Sequence, residues 1–297
     1  VDDRSIFVLP DTPNSITMKN IVVPTDFSTV SLNAVEYAAK LAKHLAARLH
    51  LLHVYHVPLV ATDVPVIPNL ESVEKESLDR LEKLGNEIQD KHGVVSMIKA
   101  EMGFTVDEIN EYCDKSKCDL VVLVMSGMSR VAELIVGSTT ASYIERGNCP
   151  VLVIPADASF KDPKHITFAS DLQGLEVHSL DILKTVGLHF KSRINIVNVL
   201  KGELLPDYNK SVAGIDLEHY FQSLSHLFFF PEGRDVIEGI DHFMEKHPSD
   251  WLAFVHRKHG MFDRLFGKSF SKKMAYHTHI PLLVLPEKEW KINKDEF

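Results

Sequence analysis

Two stretches in the first half of this 297-residue chain carry side chains whose types and spacing suit ligand chemistry. The first is Pro24-Thr25-Asp26-Phe27-Ser28, which follows an apolar run. A carboxylate in such a turn can accept hydrogen bonds from a ribose hydroxyl or a base amine. The competing reading is local: Asp26 or Ser28 caps the helix that follows. The second stretch is Met125-Ser126-Gly127, followed after nine residues by Gly137-Ser138-Thr139. Two glycines let a backbone approach an anion closely. A helix opening at Ser138-Thr139 would offer free N–H groups and the positive end of its dipole to a phosphate. Here the competing reading is a turn glycine and an ordinary N-cap.

These stretches need a scaffold that brings them to one place, and the hydrophobic pattern supplies it. Ile21–Val23 reads as a β-branched strand, and Leu32, Val35, Ala39, Ala42 and Leu45 follow at helical spacing. Leu49–Val54 is the next strand. Leu78, Leu81, Leu84 and Ile88 mark a second helix with Ser72 as its candidate cap, and Val94–Ala100 marks a third strand. Val106, Ile109 and Cys113 mark a third helix. Leu120–Met125 is nearly all apolar, as a strand buried on both faces should be. A last helix over Ser138–Ile144 and a strand over Val151–Ile154 complete the unit. Alternating strands and helices with apolar strands predict an α/β fold: a parallel sheet, doubly wound by right-handed crossovers, with helices on both faces. In such a sheet ligands bind outside the carboxyl ends of the strands, where strand order reverses.

The chain then repeats the unit. Lys19–Phe27 and Lys164–Leu172 share a basic residue, an apolar run and an Asp, with Asp26 and Asp171 145 positions apart. The same offset aligns His53-Val54 with Asn198-Val199. Cys149-Pro150-Val151-Leu152-Val153-Ile154-Pro155 matches Ile280-Pro281-Leu282-Leu283-Val284-Leu285-Pro286 at an offset of 131. The second unit is therefore shorter in its middle, where the first carries Pro58, Pro65 and Pro68 and reads as a loop. Ordered matches at three places indicate a duplicated domain.

The strand ending in Pro-Thr-Asp-Phe-Ser, the Gly-x9-Gly-Ser segment and the closing Cys-Pro-Val-Leu-Val-Ile-Pro together resemble the universal stress protein family. The resemblance covers residues 18–156 closely and 164–286 more loosely. It implies two Rossmann-like domains, each a five-stranded, mainly parallel sheet, with the two closing strands paired antiparallel into a pseudo-dimer within one chain. Association of two chains stays open. The resemblance also implies a regulatory stress-response module that binds an adenine nucleotide (ATP, ADP or AMP, with magnesium beside a triphosphate). Thr25, Asp26 and Val54 would face the adenosine, Gly127, Gly137, Ser138 and Thr139 the phosphates, with Met125 at the end of the strand between them. One departure stands out: the first glycine of the family's Gly-x2-Gly-x9-Gly-Ser/Thr pattern falls at Val124, where a β-branched residue could narrow the phosphate path or forbid a glycine-only φ. In the second unit Asp171 survives, but Gly127 and Gly137 map to Lys258 and Lys268, so that unit reads as a degenerate partner. The alternatives are a scaffold that acts through protein partners, and a slow ATPase.

Other signals point away from chemistry. No Walker Gly-Lys-Ser/Thr is present, and Arg130 is the only basic residue of the glycine segment, so no catalytic set is assigned. Lys268-Ser269-Phe270-Ser271-Lys272 resembles a nucleotidyl-transferase loop, but the companion HxGH element is missing. His256-x2-His259 and His277-x-His279 have no supporting Cys or carboxylate spacing, and no metal is expected. Cys113, Cys118 and Cys149 form no CxxC and read as reduced thiols, Cys149 as a small buried hydrophobe. A formal net charge of -9 argues against a nucleic-acid or anionic-membrane surface. No apolar run approaches a membrane span, so a cytoplasmic protein is expected. Residues 1–17 read as an N-terminal extension or tag remnant without a fold role, and 287–297 as a C-terminal tail.

Overall fold

The computed structural model describes residues 18–56, 69–125, 137–172, 177–200, 202, 208–257 and 280–287. The first half runs β1 (Asn20–Pro24), α1 (Thr29–Leu45), β2 (Arg48–Tyr55), α2 (Leu70–His92), β3 (Ser96–Met102), α3 (Thr105–Ser116), β4 (Leu120–Met125), α4 (Ser138–Arg146) and β5 (Val151–Pro155). The second runs β6 (His165–Ala169), a 3-10 turn (Val177–Leu180), α5 (Asp181–Phe190), β7 (Arg193–Val197), α6 (Tyr208–Tyr220), β8 (Ser225–Phe229), α7 (Val236–Lys246), β9 (Trp251–His256) and β10 (Leu282–Pro286). Among the described residues no helix is long and apolar enough to cross a membrane.

All ten strands join one sheet in the order β3-β2-β1-β4-β5-β10-β9-β6-β7-β8. Each half is a parallel, doubly wound unit of the same topology. The pairing between β5 and β10 is antiparallel. In it Leu152 lies opposite Leu283, the residue 131 positions on that is its own equivalent in the repeat. A pseudo-two-fold axis therefore passes between these two leucines, and the closing strands of the two halves meet as equals.

The central strands are covered on both faces. In the first half, α1 and α2 pack into the core on one face, with Ile21, Val23, Leu49 and Leu51 fully buried beneath them. On the other face α3 and α4 cover Val22, Val121 and Val153. The first of these cores runs on into the second half through Ile166, Phe168 and Trp251. Trp251 Nε1 donates to the Tyr37 hydroxyl at 3.0 Å, a buried bond between β9 and α1.

Several boundaries differ from the sequence reading. The second helix starts at Leu70, with Asn69 rather than Ser72 in the N-cap position. Ser72 lies in the first turn and its hydroxyl donates to the Asn69 carbonyl. The third strand begins at Ser96 and not Val94, because Gly93 ends α2 at φ 70 and Val94 and Val95 are used to reach the start of the β2 ladder, Leu49 opposite Ser96. Leu32 is 37% exposed on α1, where Ala34, Val35, Ala38 and Leu41 make the buried face instead. The shortening of the second half lies largely in a helix: α6 has 13 residues where α2 has 23. Pro58, Pro65 and Pro68 lie outside the described residues.

Leu152 and Leu283 are both fully buried at the axis. Replacing either by Ala should cost about 2–5 kcal/mol in chemical denaturation. The double replacement should cost less than the two losses added together, because the residues share one contact across the strand pair.

Candidate functional site

The turn after β1 is built in the same way in both halves. Thr25 N–H donates to the Leu52 carbonyl at 2.8 Å, and Ser170 N–H to the Val197 carbonyl at 2.9 Å, so each turn is held to the neighbouring strand. Phe27 N–H donates to Thr25 Oγ1 at 3.0 Å, as Leu172 N–H does to Ser170 Oγ at 3.1 Å. Phe27 and Leu172 take up positive φ of 63 and 53, a conformation that side chains adopt rarely and that these hydroxyl contacts hold. The Asn198 side-chain amide donates to the Ser170 carbonyl at 2.9 Å. At the equivalent place His53 Nδ1 lies 2.7 Å from the Thr25 carbonyl. A carbonyl can only accept, so Nδ1 carries the proton and His53 Nε2 is the acceptor in the neutral ring.

Within the first turn the hydroxyl protons can be assigned in sequence. Ser31 Oγ–H donates to the Ser28 carbonyl at 3.0 Å, which leaves Thr25 Oγ–H to donate to Ser31 Oγ, also at 3.0 Å. The Thr25 side chain is buried and its hydroxyl is engaged in the turn itself. Ser28 is the N-cap of α1, accepting from Ser31 N–H at 3.3 Å. Asp26 is thus not the helix cap. Its Oδ1 accepts from Ser28 N–H at 2.9 Å, closing an Asx turn, and the residue stays exposed. Partial burial raises the Asp26 pKa, but hydrogen bonds from the Ser28 hydroxyl and N–H outweigh it and hold the carboxyl below its ordinary range.

Val54, Met125, Gly137, Ser138 and Thr139 sit at the same sheet edge. Val54 is half-buried in the last turn of the ladder at the end of β2, and Met125 is the buried final residue of β4. Gly137 is the N-cap of α4, and Ser138 and Thr139 begin its first turn. The Thr140 hydroxyl donates to the Val124 carbonyl at 2.8 Å, which fixes the start of α4 beside the end of β4. This helix start has no side-chain cap and no acidic residue in its first turn, so its electropositive end is not neutralised from within. Because β1 lies between β2 and β4, these ends flank the point where strand order reverses.

Two expectations change on this geometry. Val124 pairs with Ile154 inside β4 and has no positive φ, so no glycine-only backbone is imposed there. Gly137 has φ -57, which any residue can adopt, so what a side chain there would alter is space beside the helix start. Gly127, Lys258, Lys268 and the histidines after His256 lie outside the described residues.

Sequence reasoning missed two features. In the second half Asp171 does not stand as Asp26 does: Arg257, directly after β9, lies 3.3 Å from its Oδ1 and reaches Glu287 at 3.0 Å. The guanidinium neutralises that carboxylate within its own domain. The signal was present, because the offset of 131 that aligns the closing strands also aligns Arg257 with Ser126. The second feature is a convergence of Cys113, Cys118 and Cys149, whose sulfurs all lie within 4.8 Å of one another. A spacing without CxxC gave no sign of it.

Known proteins extend this picture. The sequence pattern described as the universal stress protein family matches residues 17–155. A universal stress protein of Methanocaldococcus jannaschii is 32% identical over 139 residues, 46% of this chain and 81% of that protein. One from Bacillus subtilis is 28% identical over 144 residues, 45% of this chain and 97% of that protein. Among solved structures, a universal stress protein from Archaeoglobus fulgidus superposes with a TM-score of 0.71 over 91% of this chain and 99% of that one. At 15% identity this last likeness concerns the fold alone, and it extends over both halves.

The repeat of one hydrogen bond with two different side chains makes a direct test. His53→Asn should leave stability within about 0.5 kcal/mol, since Asn198 shows that an amide can serve the same carbonyl. His53→Leu should lose about 1–3 kcal/mol through an unsatisfied carbonyl, measured by urea denaturation.

Proposed function

Because the chain belongs to the universal stress protein family, we propose that residues 18–156 bind one adenine nucleotide and act as a regulatory module in a cytoplasmic stress response. The observation that carries this reading is the pairing of opposite chemistries at one sheet edge. Asp26, kept ionised by its turn, is an acceptor for hydroxyls or an amine. The uncapped start of α4, tied to β4 through Thr140, is a donor to anions. A nucleoside phosphate presents both partners at opposite ends of one molecule.

On this reading Asp26 receives the adenosine, with Val54 lining its side. Gly137, Ser138 and Thr139 turn their N–H groups to the phosphates, Gly127 faces the phosphates with them, and Met125 ends the strand beside them. Thr25 acts by holding the turn, since its hydroxyl is engaged there. ATP, ADP and AMP all fit this description, and magnesium would accompany the triphosphate. Residues 164–286 serve as a partner domain without nucleotide, because Arg257 already neutralises Asp171.

Denaturing the purified protein and chromatographing the released small molecules should yield about one adenine nucleotide per chain, not two. An empty protein that also takes up no ATP in calorimetry would instead favour a scaffold working through protein partners. Asp26→Ala should weaken binding about tenfold to a hundredfold, the equivalent of ~1.5–3 kcal/mol for hydrogen bonds to a charged group. The folded carboxyl titrates below its ordinary value of 3.8, so the carboxylate contact is present above that value and lost only as pH falls through the lower folded pKa. Affinity should therefore stay level between about pH 5 and 8; a fall centred near neutrality would assign the contact to another group.

A further inference from the structure

The three cysteines are the only ones in the chain, and the fold gathers them at one point. Cys113 lies in the last turn of α3, Cys118 just before β4 and Cys149 just before β5. They therefore sit at the amino ends of the strands, at the opposite end of β4 from the candidate nucleotide site. Polar contacts fix the surrounding loops. Asn148 Nδ2 donates to Asp114 at 2.7 Å, and Asn148 N–H to Asn110 at 3.1 Å, so the loop before β5 is stapled to α3.

A fourth group points to a ligand. Tyr143, on α4, is 1% exposed and lies against Cys113. Its hydroxyl is buried, makes no well-formed hydrogen bond and faces the Cys113 sulfur. A buried hydroxyl left unsatisfied costs about 1–3 kcal/mol, and such a group in a native protein calls for an explanation such as an ion. We infer that Cys113, Cys118 and Cys149, with the Tyr143 hydroxyl as a neutral fourth donor, form a binding site for one thiophilic divalent cation of the zinc class.

The geometry suits that ion. Three sulfurs at a Zn–S distance of about 2.3 Å lie ~3.8 Å apart around a tetrahedral centre. A spread of up to 4.8 Å contracts to this by small side-chain rotations. The reaction balances without an oxidant: one Zn²⁺ replaces three thiol protons, which pass to solvent, and the site carries one net negative charge. Thiolate donors select zinc over magnesium or calcium. The bound ion would join α3, α4 and the two strand entries, all of which pack into one core.

The test uses the full chain, reduced and anaerobic, with Co²⁺ as the probe and Zn²⁺ as competitor. One equivalent of Co²⁺ should produce a thiolate-to-cobalt charge-transfer band that Zn²⁺ abolishes, and zinc should protect all three thiols from alkylation. Cys118→Ala, at a partly exposed position, should lose the band while keeping its circular dichroism. Tyr143→Phe should weaken zinc at least tenfold. The inference is overturned if no charge-transfer band forms, or if the band survives in Cys118→Ala. It is equally overturned if the thiols of the unaltered protein alkylate as fast with zinc as without, a measurement that depends on no variant. Uptake of Cu(I) alone, with no response to Co²⁺ or Zn²⁺, would overturn the zinc assignment.

Discussion

The antiparallel pairing of β5 with β10 is the constraint on which the rest of the molecule depends. All five residues of β5 are buried. In a five-stranded unit standing alone, that strand would be an apolar edge with open backbone groups, a template for aggregation. The second half removes the hazard by presenting its own closing strand, with Leu283 opposite Leu152. One continuous sheet results, and its outer edges are β3 and β8, the strands farthest from the axis in each half. β3 shows how an exposed edge is tolerated: its burial alternates along the strand, and Lys99 and Glu101 form a surface ion pair there.

A duplicated unit held together in this way can divide its work. Both halves keep the turn after β1, down to the hydroxyl that receives the next N–H and the side chain that anchors the carbonyl. What differs is the charge around the carboxylate at its tip. Asp26 is surrounded by neutral donors from its own turn, whereas Asp171 has a guanidinium within 3.3 Å. A carboxylate matched by an internal cation contributes to the structure of its domain. One satisfied only by turn N–H and hydroxyl groups keeps acceptor capacity toward solvent. The asymmetry between the halves is thus an electrostatic one laid on a shared backbone.

The first half also has two chemically distinct ends, linked by α4. The start of that helix is fixed to the carboxyl end of β4 by Thr140, and Tyr143, one turn further on, faces the thiols near the strand entries. Six residues of one helix, Ser138 to Tyr143, therefore connect the candidate anion site to the cysteine cluster.

Much of this was legible in the sequence, because strand and helix periodicity, the apolar character of buried parallel strands and the two repeat offsets are all local or linear signals. They gave the α/β class, the doubly wound halves and the strands of the first half to within a residue or two, with the closing strand of the second. Asp26 and the opening of α4 were legible for the same reason, since a polar turn after an apolar run and a glycine before a helix are chain-local patterns. Only the tertiary structure decided which of Asp26 and Ser28 caps α1, because two oxygens within reach of the same N–H groups are separated by backbone geometry alone. Only it brought Arg257 to Asp171, 86 residues away, and Cys149 to Cys113, 36 residues away. Such contacts are set by which strand ends become neighbours in the sheet, and no spacing along the chain encodes that distance.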